Sequence, residues 1–155
     1  MNIRKFRAED AEAVSALILY TFRISNSRDY PPEYGEALAK TLTPDGIRRR
    51  AESAHGYVAA DGETVVGCGM IAPFFGSETE SILLTIFVLP EYQGRGIGRQ
   101  IVETLEQDEY FLRAARIEIP ASVTAVEFYR KLGYDYKNGA REPDSERHYR
   151  LEKYR

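Results

Sequence analysis

The stretch best suited to chemistry is Gln93-Gly94-Arg95-Gly96-Ile97-Gly98, directly after Leu89-Pro90-Glu91-Tyr92. Its three glycines let the backbone turn sharply and expose N–H groups. Arg95 and Arg99 add positive charge on either side. The apolar, β-branched run Ile82 to Val88 precedes it and reads as a buried strand, which Pro90 ends because proline cannot donate to a ladder. A helical pattern follows from near Ile97. Strand, glycine loop and helix N-terminus together cradle an anion of the phosphate type. The spacing excludes a P-loop, since no Gly-Lys-Ser/Thr follows. It also excludes the dinucleotide fingerprint, which needs Gly-x-Gly-x-x-Gly.

The elements that must position this loop can be read along the chain. Ile3 to Arg7 alternates as a short strand. Ala8-Glu9-Asp10 puts acidic residues in the first turn of a helix, and Val14, Leu17, Ile18 and Thr21 recur at helical spacing to about Arg23. A polar break over 25–29 follows. Pro31-Pro32 opens a second helix to about Lys40, and Thr43-Pro44-Asp45 opens a third through Arg48-Arg49-Arg50. The arginine triplet reads as a solvated helix face, with an anion site as the alternative. Tyr20, Phe22, Tyr30 and Tyr34 either cover a sheet or line a pocket.

His55 to Ala60 reads as a strand, Asp61-Gly62-Glu63 as a tight hairpin and Thr64 to Ile71 as the returning strand. Gly67 and Gly69 weaken that strand or mark a close backbone approach. Glu78 to Val88 is then the third antiparallel strand, feeding the glycine loop. After the loop, Ile97, Ile101, Leu105 and Leu112 form an apolar stripe at helical spacing. Arg116 to Pro120 is a strand, so strand, crossover helix and strand imply a parallel unit. Ser122 suits a helix cap, Ala125, Phe128, Tyr129 and Leu132 mark that helix's inner face, and Gly133 stops it. Tyr134 to Lys137 and His148 to Lys153 are the last strands, with a polar loop between them.

The 155 residues suit one domain, 1–155, with ordinary hydrophobic and charged fractions. The net charge of −3 argues against nucleic acid as a partner. No apolar run approaches the roughly 20 residues of a membrane span. No signal core appears at the N-terminus, so a cytoplasmic location is expected. The single cysteine, Cys68, lies in an apolar strand pattern and reads as inert core, and two scattered histidines offer no metal-ligand spacing.

A second motif runs from Ala121 to Tyr134: Ala-Ser-Val-Thr-Ala-Val-Glu-Phe-Tyr-Arg-Lys-Leu-Gly-Tyr. With Gln93-x-x-Gly96-x-Gly98 upstream and the Tyr149 to Lys153 tail downstream, the chain resembles the GNAT superfamily of N-acetyltransferases over essentially its whole length. The resemblance implies an α/β (α+β) fold with a central mixed, mostly antiparallel twisted sheet and helices on both faces. It implies acetyl-CoA as co-substrate, no metal, and an unidentified primary amine as acceptor. Backbone groups of Ile86, Phe87 and Val88 would hold the pantetheine arm. The loop, Gln93, Gly94, Arg95, Gly96, Ile97, Gly98 and Arg99, would hold the pyrophosphate. Tyr129 would lie near the thioester sulfur as general acid for the departing thiolate; on periodicity alone it reads as a core aromatic.

The chemistry suits these roles. An amine attacks the thioester carbonyl, an oxyanion develops, and a backbone N–H stabilises it, a role assigned to Val88. A phenol within hydrogen-bond reach can protonate the thiolate. Ser122 stands where many relatives have asparagine, so its cofactor contact is a weaker one or gives way to capping. No general base is evident. Glu78, Glu80 and Glu118 are candidates, each equally readable as a solvated strand residue, and Thr85 could position a water. An acyl-CoA sensor without turnover is the alternative reading, and a different acyl group a narrower one. The acceptor side, Tyr20 to Glu36, offers tyrosines and acidic residues compatible with an amine. A monomer or a homodimer paired at a sheet edge is expected.

Overall fold

The apolar run that ends at Val88 lies in a sheet with helices packed on both faces. The computed structural model describes residues 1–155. Seven strands form one sheet in the order β1-β2-β3-β4-β5-β7-β6: β1 Asn2–Lys5, β2 His55–Asp61, β3 Thr64–Pro73, β4 Glu80–Val88, β5 Arg116–Ala121, β6 Asp135–Tyr136 and β7 Tyr149–Tyr154. Only β4 and β5 pair in parallel. The rest are antiparallel. The helices are α1 Ala11–Thr21, α2 Pro32–Thr41, α3 Pro44–Ala51, α4 Ile97–Leu105, α5 Glu109–Leu112 and α6 Val126–Lys131.

Alternation along the strands builds two cores. On one face Ala59, Ile71 and Leu83 meet Ile101, Val102 and Leu105 of α4 and Val126 of α6. On the other, Val58, Met70 and Leu84 meet Val14, Leu17 and Ile18 of α1 and Ile47 of α3. Each fully buried Leu or Ile contributes about 1.5–3 kcal/mol. Gly67 and Gly69 serve the close approach rather than a weak strand. A Cβ on Gly69 would lie 2.7 Å from the Ile101 side chain. Cys68 is buried beside them, and burial pushes its thiol up to about 12, which makes it inert.

Two local expectations are corrected. The stripe read as reaching Leu112 breaks after Leu105, and Leu112 is exposed. Asp108 causes the break: it caps α5 by accepting from the Tyr110 N–H, and it also accepts from His55 and Tyr57. Ser122 makes no side-chain cap; its hydroxyl lies 3.3 Å from that of Thr124. Asp10 is a first-turn acid, as expected, and is buried. It forms a two-pronged pair with Arg4 at 2.8 and 2.9 Å and accepts from the Arg7 N–H, tying α1 to the first strand.

β4 and β5 pair over only three positions, Glu80–Ile82 with Arg116–Glu118. Beyond these, β4 stays with β3 while β5 stays with β7, so the two strands part. At the parting point Thr85 takes a left-handed conformation (φ 58°) and the β3–β4 register slips by one residue. Such a bulge bends a strand out of its ladder.

Candidate active site

The gap between the parted strands is a cleft of about 920 Å³. Its walls are the ends of β4 and β5, the glycine loop, α6, and the segment from α1 to α3. The Leu89 N–H donates to the Val66 carbonyl at 2.9 Å, toward β3. Antiparallel ladders alternate direction, so the Val88 N–H, one residue earlier, points to the open side. The Val88 carbonyl also faces away from β3 and accepts from the Gln93 side-chain amide at 3.0 Å. Gln93 therefore ties the strand end to the loop.

Gly94 and Gly96 both hold positive φ, 78° and 81°, which a side chain would oppose. Gly96 is the N-cap of α4, and no side chain caps the helix. Its first-turn N–H groups are left free for an anion. Gly98 lies in that turn, where a Cβ would meet the Phe128 ring at 3.3 Å. The loop thus offers an anion a glycine turn and first-turn N–H groups that no side chain caps.

Ile86, Phe87, Val88, Gln93, Gly94, Gly96, Ile97, Gly98, Arg99, Ser122 and Tyr129 all line the cleft. Arg95 does not: its guanidinium stacks on Tyr92 at 4.8 Å and donates to the Glu91 carbonyl. Tyr129 is buried, yet its hydroxyl has no protein partner. It is also not among the fully enclosed unsatisfied atoms, which are Thr21 Oγ1 and His148 Nδ1. The hydroxyl therefore opens into the cleft. Burial raises its pKa, so the phenol stays protonated at neutral pH.

The three carboxylates named as candidate bases lie elsewhere. Glu118 is 2% exposed and is held by Arg116 at 2.9 Å, Lys137 at 2.9 Å and Arg150 at 3.2 Å. Glu80 pairs with the same Arg116 at 3.3 Å, at the start of β4. They lie in the stretch where β4 and β5 are still paired, before the strands part, and the surrounding cations hold them there. Glu78, too, is absent from the cleft walls. Glu118 has a structural use instead. Arg150 bridges it to Asp144, which accepts from the His148 backbone N–H at 2.9 Å.

The side of the cleft formed by the segment from α1 to α3 is aromatic. Tyr30 and Tyr34 stack at 4.3 Å, and Phe22 lies 5.6 and 5.5 Å from them. Burial pushes the Tyr30 phenol up to about 12. Tyr20 stays outside, donating to Glu91. The acidic residues expected here, Asp29, Glu33 and Glu36, do not reach the cleft, and none of its lining residues is Asp or Glu.

Two lining residues escaped sequence reasoning. His148 meets the Tyr34 hydroxyl through Nε2 at 3.0 Å, and burial lowers its pKa. Nothing local marks it, because a polar loop precedes it and Tyr34 is 114 residues away. Arg50 leaves the triplet's solvent face and donates to Thr85 Oγ1 at 2.9 Å, while Arg48 pairs outside with Glu12 and Asp45. A signal existed here: Arg50 sits three residues after the fully buried Ile47, on the same helix face.

The cleft thus joins a parted sheet with a free strand edge, an uncapped helix start and a phenol that opens between them. The family model described as the acetyltransferase (GNAT) domain matches residues 52–136, more than half of the chain. The chain belongs to that family and is an acetyltransferase. Among curated proteins it is 23% identical over 134 residues to the uncharacterised N-acetyltransferase YafP of Escherichia coli K12, covering 86% of this chain and 81% of that one. Among solved structures it is similar to the PaiA N-acetyltransferase of Thermoplasma acidophilum in complex with coenzyme A. That match has a TM-score of 0.84 at 18% identity and covers 99% and 98% of the two chains. A GCN5-related N-acetyltransferase from Rhodopseudomonas palustris matches with a TM-score of 0.79 at 22% identity, over 99% and 95%. At these identities the structural likeness speaks for the fold, which is the one expected from the sequence.

Proposed function

We propose that this chain binds acetyl-CoA with its pyrophosphate on the amides of Gly94 to Arg99 and its pantetheine arm along Ile86 to Val88, and passes the acetyl group to a primary amine by direct attack. The observation that carries this reading is the free edge of β4 at Val88, facing the same cleft as the Tyr129 hydroxyl. The amine nitrogen forms a bond to the thioester carbonyl carbon, and the carbonyl oxygen becomes an oxyanion within reach of the Val88 N–H. The C–S bond then breaks, and the thiolate takes the Tyr129 proton. A phenol buried without a partner favours this role, since its proton is committed to no other acceptor.

The attacking amine must also lose a proton. His148 is the one cleft residue whose ordinary pKa lies near neutrality, and burial keeps it neutral. The amine's proton passes to the Tyr34 oxygen as the Tyr34 proton passes to His148 Nε2. Glu146, 3.8 Å from Nδ1, favours the resulting imidazolium. Thiol release from acetyl-CoA across a panel of primary amines tests the reading. Release with at least one amine, with the acetyl group recovered on nitrogen, is expected. Tight acetyl-CoA binding without release on any amine would overturn it in favour of a sensor.

A further inference from the structure

The charges lining the cleft say something about the acceptor. Its walls hold three arginines, Arg28, Arg50 and Arg99, one histidine and no carboxylate. Arg99 lies in the first turn of α4, at the pyrophosphate end. Arg50 lies at the other end, near Tyr34 and Thr85. It has no ion-pair partner, in a chain where Arg4, Arg48, Arg116, Arg130 and Arg150 each have one at 3.2 Å or closer. Its single side-chain hydrogen bond goes to a neutral hydroxyl, Thr85 Oγ1. Burial lowers its pKa, and the nearby group that opposes this is a tyrosine, not a carboxylate.

A guanidinium has five donors in a planar fork. Taking that charge partly out of water with one neutral contact costs free energy, which an oxyanion in the cleft would recover. The strand under it fixes where such a group would sit. Thr85 and Val88 are three residues apart, at most roughly 10 Å along β4. That span accommodates the reacting carbonyl and a short acceptor.

We propose that the acceptor is an amine that also carries an anionic group, a carboxylate or a phosphonate, gripped by Arg50 beside Thr85. The inference rests on the acetyl-transfer reading and names its substrate class. A polycationic amine is disfavoured: it would meet Arg28, Arg50 and the Tyr34–His148 pair, and the carboxylates near that pair, Asp144 and Glu146, do not line the cleft.

The test uses matched acceptors of graded chain length: amino acids, the corresponding aminoalkylphosphonates, the decarboxylated amines, and a polyamine. Thiol release is measured with the natural chain, Arg50→Met and Arg50→Lys. The natural chain is expected to prefer one of the two anionic series over the matched neutral amine by tenfold or more in kcat/KM. The carboxylate and phosphonate arms say which oxyanion is used. In Arg50→Met, KM for that acceptor is expected to rise by roughly 10- to 100-fold, the range of a charged hydrogen bond. Arg50→Lys should recover part of it, since a lysine keeps the charge and loses the fork. Acetyl-CoA affinity in both variants reports whether the bulge at Thr85 is intact. Calorimetric binding of the N-acetylated anionic product, natural chain against Arg50→Met, reads the subsite without turnover. Product binding lost in the variant supports the subsite even if no amine is acetylated, an outcome that would sink the transfer reading alone. Preference for the neutral amine or the polyamine, or product binding unchanged in Arg50→Met, overturns the assignment while acetyl transfer stands.

Discussion

Replacing Tyr129 by phenylalanine separates chemistry from folding cleanly. The side chain is 6% exposed and belongs to the main core, so its ring must be kept. The hydroxyl has no protein partner, so removing it breaks no hydrogen bond. Losing an unpartnered polar atom from a buried site is neutral or slightly stabilising. Tm should therefore stay within about 2 °C, and acetyl-CoA affinity within about threefold, since the amides of the loop are untouched. Turnover should fall. A positioned general acid contributes about 10²- to 10⁴-fold, or about 2.7–5.4 kcal/mol of barrier at 1.36 kcal/mol per decade. The loss should appear in kcat at saturating acetyl-CoA. It should shrink with an acyl donor whose thiol is more acidic, because a better leaving group needs less protonation. A kcat within twofold of the natural chain, at unchanged Tm, would refute the acid role. An equal loss with both donors would show that the hydroxyl acts in some other way.

Three further outcomes follow from the geometry. Glu118→Gln should lower stability by a few kcal/mol, toward the range of about 3–5 for breaking a buried pair. Three cations lose their shared partner, although Arg116 keeps Glu80 and Glu152. The pH profile of the folded variant's kcat should be unchanged; a lost basic group in that profile would restore Glu118 as the base. Gly69→Ala should cost about 1–3 kcal/mol by overpacking, since its Cβ would sit 2.7 Å from Ile101 and 3.1 Å from Leu105. A denaturation midpoint equal to the natural chain's would contradict it. His148 has a lowered pKa from burial, so kcat/KM should hold above about pH 6.5 and fall on the acid side. His148→Asn should abolish that limb and slow the reaction at all pH. The same shift acts on stability. The unfolded chain takes up the proton first, so the contribution is complete above about pH 6.5 and is lost as pH falls through the folded value. A limb that persists in the variant would remove His148 from the mechanism.

How much of this was legible beforehand divides along a physical line. The glycine loop was readable because its geometry is local. Positive φ at Gly94 and Gly96 and an uncapped helix start depend on residues adjacent in the chain. The strand and helix order was readable for the same reason, down to the Thr43 cap on α3, where the hydroxyl accepts from the Gly46 N–H at 3.1 Å. Periodicity also placed Tyr129 on an inner face.

What periodicity reports is a face, never what lies across from it, and there the tertiary structure decided. Glu118 looks like a free carboxylate in sequence. It is bound by a lysine 19 residues on and an arginine 32 residues on. Arg50 looks like one third of a solvated triplet, but the turn of α3 aims it at a strand 35 residues away. The cleft itself comes from β4 and β5 pairing for three residues and then parting at the Thr85 bulge. By itself the sequence determined the glycine turn, the sheet's strands and the family, because each of these is written in neighbouring residues. The arginines and the histidine that line the cleft come from side chains that only folding brings together.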